Sequence, residues 1–121
     1  MDKKEVATSF LHLVSSGKVR EGYEKYIHPD FFHHNVYYKG DRESILIGME
    51  ENAREFPEKT YETMRTLEDG NFVAVHGKVR LTSDSVFSVI HIFRFKDEQI
   101  IESWEASQEE IEDSPNEHGL F

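Results

Sequence analysis

Two residues stand out as a pair that could move protons. His91 lies in the run VFSVIHIFRF and Glu105 in IIESWEAS, and the turn-forming stretch KDEQ separates the two runs. Pairing residues symmetrically about Glu98 sets His91 opposite Glu105, whereas a half-residue shift sets it opposite Trp104. A third run, FVAVHGKVRL, precedes them across TSDS. Centring that turn on Asp84 puts His91 opposite Gly77, and a half-residue shift puts it opposite His76. Directly opposed side chains share one face of a sheet with their Cβ atoms ~5 Å apart. His76, His91 and Trp104 or Glu105 are therefore expected to form a row across three strands, and a bulge decides whether Trp104 or Glu105 faces inward. Flanked by Phe87, Phe93 and Phe95, an imidazole and a carboxyl in one hollow are the equipment of general acid–base catalysis. Burial there is expected to push the carboxyl pKa upward. Each residue also has a plainer reading: a structural histidine, a core tryptophan, a solvent-facing glutamate.

The other chemistry-bearing stretch is HPDFFHHNVYYKGD, residues 28–41. Read as a strand, it alternates Phe31, His33, Asn35 and Tyr37 on one face with Phe32, His34, Val36 and Tyr38 on the other. The adjacent His33 and His34 thus point apart. With no HxH or HExxH spacing and no cysteine, neither a metal nor any other cofactor is expected. No serine sits in a Gly-x-Ser-x-Gly turn, and no glycine loop is built to cradle phosphate.

The elements that must position these groups follow from periodicity. Val6, Phe10, Leu13 and Val14 recur at helical steps and Gly17 is placed to stop that helix. A shorter helix is expected around Lys18 to Tyr26, ending before Pro29. A third helix begins near the N-cap residue Asp41, carries Ile45, Met49, Ala53 and Phe56 along one stripe, and ends at Pro57. The period then changes. TYETMRTL, FVAVHGKVRL, VFSVIHIFRF and IIESWEAS are strand-like runs joined by turns short enough for hairpins. The expected order is helix, helix, strand, helix and four strands: an α+β domain over residues 1–107 whose helices bury their stripes on a curved antiparallel sheet.

Size and charge narrow the partners. The 121 residues suit one domain, and a formal net charge of −10 argues against nucleic acid and anionic membrane surfaces. No run has signal-peptide or membrane-spanning character, so a cytoplasmic protein is expected. Residues 108–121 form an acidic tail with five carboxylates and no Lys or Arg. It ends in HGLF, so Leu120 and Phe121 are candidates for docking in a pocket or on a partner.

The order of elements, together with HHN, FVAVHGKVR, IHIFRFKDEQIIESWEASQE and NEHGLF, resembles the SnoaL-like branch of the nuclear-transport-factor-two-like fold. The matching pattern is HN, VAVH, DIFR, IxEHWD and NxxGMF, spread over nearly the whole chain. The resemblance implies a cone-shaped α+β barrel, commonly a homodimer, with a pocket between sheet and helices for a small apolar or aromatic ligand bearing a carbonyl. It further implies acid–base chemistry of the aldol-cyclisation or isomerase type, or ligand binding without turnover. Glu105 takes the position of the family's Trp-Asp carboxylate, His34 and Asn35 match the HN pair, and His76 matches the histidine after VAV. Glu105 and His91 are the expected catalytic residues; His34, Asn35, His76, Phe93 and Trp104 are the expected binding residues. The chain departs from the pattern where His91 replaces an aspartate and Ser103 replaces the histidine before tryptophan.

Overall fold

The computed structural model describes residues 1–121. Asp2 caps the first helix, α1 (Lys3–Ser15), by accepting the Glu5 N–H at 2.8 Å. Val6, Ala7, Phe10, Leu11 and Val14 form its buried stripe, and Leu13 is half-buried. Gly17 turns the chain at φ +89°, where Gly17 N–H donates to the Val14 carbonyl and Lys18 N–H to the Leu13 carbonyl. These paired bonds satisfy the last carbonyls of the helix, a stop that needs a residue free to adopt positive φ. Helix α2 (Val19–Tyr26) follows at once and runs directly into strand β1 (Ile27–His33).

The alternation read through Tyr38 stops at His33. Asn35 Oδ1 accepts the Tyr37 N–H at 2.9 Å and folds residues 35–38 into a turn. A side-chain oxygen that bonds its own backbone two residues on competes with strand pairing, and here it wins. Asp41 then caps α3 (Arg42–Glu55) through the Ser44 N–H. Ile45 and Leu46 are buried, while Met49 and Ala53 pack on the edge of the core.

Strands β2 (Thr60–Asp69), β3 (Phe72–Thr82), β4 (Ser85–Lys96) and β5 (Gln99–Glu109) form the meander, in the sheet order β1-β5-β4-β3-β2. The expected all-antiparallel sheet is corrected in one respect: β1 pairs with β5 in parallel, so the sheet is mixed. Tight hairpins dictate direction for β2 to β5, but β1 has no hairpin partner and takes the direction in which α2 delivers it. As an edge strand it also tolerates Pro29, which has no N–H for a ladder. On the helix side of the sheet Val73, Val75, Phe93, Phe95 and Ile100 are at most 3% exposed. Phe93 meets Phe10 of α1 edge-on at 6.0 Å, which joins the two layers.

Two bulges set the register. Asp97 and Glu98, both at positive φ, make a two-residue turn with Lys96 opposite Gln99. Continued unbroken, that pairing would put Trp104 opposite His91. Ile101 instead bulges between the Phe95–Ile100 and Arg94–Glu102 pairs, the register advances by one, and His91 faces Glu105. Leu81 does the same on the other side of β4. Thr82 pairs with Ser85, but beyond the bulge Val75 pairs with His91 and His76 with Ile90. The expected row through His76 and His91 is thereby broken, because successive residues of a strand point to opposite faces. His91 and Glu105 look toward the helices; His76 and Trp104 look away.

Candidate active site on the inner sheet face

His91 Nε2 stands 3.3 Å from Glu105 Oε2. This is ion-pair distance, slightly longer than the roughly 2.7–3.2 Å of a well-formed N–H···O bond. The His91 ring stacks on Phe93 at 5.4 Å and 12°, so it is held from below by a side chain that is itself buried. Glu105 Oε1 accepts a hydrogen bond from the Asn35 side-chain amide. Asn35 can aim that amide because its own Oδ1 is tied down by Tyr37 N–H and its backbone N–H donates to His33 Nδ1 at 3.0 Å. His33 is 6% exposed and its Nε2 bonds the Lys39 carbonyl at 2.8 Å. With Nδ1 accepting, Nε2 is the nitrogen that donates. A hydrogen-bonded chain from Lys39 through the buried His33 and the half-buried Asn35 thus ends on the Glu105 carboxylate.

The electrostatics differ from the expectation. Burial raises the Glu105 pKa, as anticipated, but the His91 ring and the hydrogen bond from the Asn35 amide outweigh it, and the net shift is downward. About a third of the side chain, 32%, stays open to solvent, which limits what burial can do. Glu105 is therefore a carboxylate at neutral pH. Its charge reaches two phenols. Tyr23 and Tyr38 are raised above the ordinary tyrosine range first by burial and then by Glu105, so both phenols are neutral. The Tyr38 ring lies flat on the backbone of Gly48, where a Cβ would come within 2.2 Å of it. Only glycine leaves that space.

Of the residues singled out in the sequence, the structure brings together His91, Glu105 and Asn35, with Phe93 beneath. The other three lie on the outer face. His34 is turned there, stacked on Trp104 at 5.0 Å and 7°, with Nε2 bonded to Glu102 Oε2 at 2.7 Å. Arg94 holds the other Glu102 oxygen at 2.8 Å. Burial raises the Glu102 pKa, but these two partners bring it below the usual range. His76 bonds Ser88 Oγ through Nε2 at 2.8 Å and contacts Arg65 through Nδ1. His33 and Tyr38 were the residues passed over. The alternation that set His33 and Asn35 on one face was the available signal for the first; nothing local marks Tyr38.

An open pocket of about 230 Å³ reaches Glu105 but not His91, walled by the loop His34–Tyr37 and by Glu105, Ala106 and Ser107 of β5. It falls below the roughly 300–1,000 Å³ of sites for drug-sized ligands, so it accommodates a small molecule or one end of a larger one. No three His, Asp or Glu side chains converge as metal ligands would. No helix is long and apolar enough to cross a membrane.

Helices over one face of a bent sheet, with a carboxylate and an imidazole on the covered side, define an α+β cone of the NTF2-like kind. The chain belongs to the SnoaL-like family: the SnoaL-like domain matches residues 7–103. Among solved structures it is similar to IdmH from Streptomyces antibioticus, described as a candidate polyketide cyclase, with 18% identity and a TM-score of 0.75 over 89% of this chain and 93% of that one. AclR from Streptomyces galilaeus, described as a candidate hydroxylase, is 17% identical with a TM-score of 0.74 over 88% of each chain. An NTF2-like protein of unknown function from Cytophaga hutchinsonii is 12% identical with a TM-score of 0.72, over 89% of this chain and 91% of that one. At such identities the likeness is one of fold. Among curated proteins none matches in sequence.

Proposed function

We propose that this protein binds a small apolar or aromatic carbonyl compound at the inner face and transfers a proton next to the carbonyl. The observation that carries the reading is the His91–Glu105 pair, faced inward by the Ile101 bulge and tied to Asn35. Glu105 takes a proton from the carbon beside the carbonyl, and the electron pair of that C–H bond moves to the carbonyl oxygen as an enolate. In an isomerisation the proton returns at another carbon. In an aldol closure the enolate carbon bonds a second carbonyl carbon of the same molecule, and the resulting alkoxide takes the proton back. His91 orients Glu105 and shares the proton; the Asn35 amide and the Tyr38 phenol are the donors available to the enolate oxygen. His76 and Trp104, expected at the ligand, have no part in this step because they occupy the other face; His34 walls the pocket beside Glu105, but its Nε2 is bonded to Glu102.

A second reading has its own support. Glu105 is held below the ordinary carboxyl range and both its oxygens are engaged, which makes it a weak base and suits a ligand-binding module without turnover. Solvent-deuterium exchange into a panel of enolisable cyclic and aromatic ketones, followed by NMR, separates the two. Catalysis predicts exchange by the wild type that falls about 100-fold or more in Glu105→Gln, the usual worth of a general base. Equal exchange by both proteins removes Glu105 as the base. If the wild type exchanges nothing yet binds a ketone that His91→Ala binds less well, the binding reading holds.

The outer face is the expected contact of a homodimer. Leu67, Phe72, Ile90 and Ile92 are 40–64% exposed there and form an apolar band with Trp104.

A further inference from the structure

Residues 110–119 are exposed throughout, and then the chain comes back to the fold: Leu120 and Phe121 are half-buried. Phe121 lies on the outer sheet face in a seat with three walls. Its ring stacks on His76 at 5.8 Å and 17°, and Lys78 Nζ stands 5.2 Å from the ring centroid. Arg65 Nη2 donates to the Phe121 carbonyl at 3.3 Å. The same arginine braces His76 Nδ1, and Ser88 holds Nε2, so the stacking ring cannot swing away. Gly119 sits at φ +72° immediately before the seated residues, where a left-handed turn redirects the chain onto the sheet.

Arg65 on β2 and Lys78 on β3 both reach Phe121, with Glu62 opposite Lys78 in the ladder, whereas residues 109–121 carry five carboxylates and no Lys or Arg. The location of the seat matters as well. His76 pairs across the ladder with Ile90, and its neighbours along the same face are Ala74 and Phe72. Phe121 therefore sits over His76 on the outer face, one ladder step from the exposed Ile90, while Leu67 and Phe72 stay open. A second copy laid face to face on this sheet meets the segment before it meets the strands.

We propose that Leu120 and Phe121 are a latch, seated in cis on Arg65, His76 and Lys78, that competes with a second copy of the chain for the outer sheet face. The inference rests on the reading of that face as a homodimer contact and is independent of the inner site. Seating uses one aromatic ring, one cation–π contact and one hydrogen bond, a set weak enough to open and close. Salt weakens the attraction between the acidic segment and the two cations, so raised ionic strength opens the latch.

The test uses the full chain, the single variant Phe121→Ala, and a chain lacking residues 116–121, each followed by analytical ultracentrifugation at low and high salt. The latch predicts that both altered proteins self-associate at least about tenfold more tightly than the full chain at low salt. It also predicts that a synthetic peptide of residues 110–121 added in trans reverses this, with amide shifts at Arg65, His76 and Lys78. The same peptide carrying Phe121→Ala does neither. Unchanged or weaker association of both altered proteins overturns the latch, as does failure of the peptide to shift those three residues. Loss of proton exchange at the inner site would not bear on it, whereas a full chain that dimerises through the helices removes the homodimer reading itself.

Discussion

Replacing Glu105 by glutamine keeps the shape of the side chain and removes its charge. Asn35 then donates to a neutral amide oxygen instead of a carboxylate, a change of about 1 kcal/mol by the usual difference between charged and neutral acceptors. The His91 contact at 3.3 Å is lost; with the carboxylate 32% exposed and the contact long, it contributes at most about 0.2–1 kcal/mol. The sum is about 1–2 kcal/mol, or roughly 3–8 °C in melting temperature for a domain of this length. The pH dependence gives the sharper test. The folded carboxyl is held below its ordinary value of 4.5, so the folded state binds this proton less readily than the unfolded chain. Its contribution is complete above about 4.5 and is lost as pH falls through the lowered folded value. Thermal melts of wild type and Glu105→Gln should therefore differ by the full amount well above pH 4.5 and converge as the pH falls through the lowered folded value. A difference that stays constant over that range would show that the charge has no favourable partner in the fold, and the reasoning about His91 and Asn35 would fail with it.

Two further outcomes follow from the packing. A Cβ at position 77 would stand 2.5 Å from the Tyr61 ring, so Gly77→Ala forces that ring off the inner face and should cost about 1–3 kcal/mol in urea unfolding, with part of the loss recovered by adding Tyr61→Leu. His76 is depressed below 6.5 by burial and then by the charge of Arg65. The folded state thus resists its protonation, and stability falls as pH drops below 6.5 through the lowered value. His76→Gln should flatten that part of the melting-temperature profile, and an unchanged profile would mean that the contact with Arg65 is not formed.

How each element was legible differs by the range of the forces that set it. The helices and their ends are local. Gly17 stops α1 and Asp41 caps α3 because backbone groups within four residues need partners, and those partners are written beside them. The meander is nearly as local, since two-residue turns leave each strand only the one before it to pair with. The family is visible for the same reason: motifs in a fixed order ride on elements in a fixed order.

The site is a different matter. Asn35 was found on the alternation of FFHHN, but whether His34 or Asn35 reaches the inner face depended on where β1 stopped. That stop is a contest between ladder pairing and the turn made by the Asn35 side chain. The direction of β1 against β5, its neighbour in the sheet but about seventy residues away in sequence, was set by the way α2 delivers it, and no hairpin recorded it.

What the sequence determined by itself was the set of elements, their order, and the short list of groups able to exchange protons. What only the tertiary structure decided was which of them meet. A residue's face along a strand flips with each step, so one unpaired residue at Ile101 turns Glu105 inward and Trp104 outward, and another at Leu81 sends His76 to the side opposite His91. Nothing within either hairpin favours the bulged register. At Leu81 it is chosen by burial: Val73 and Val75 share the helix-facing side with Phe93 only in the bulged register.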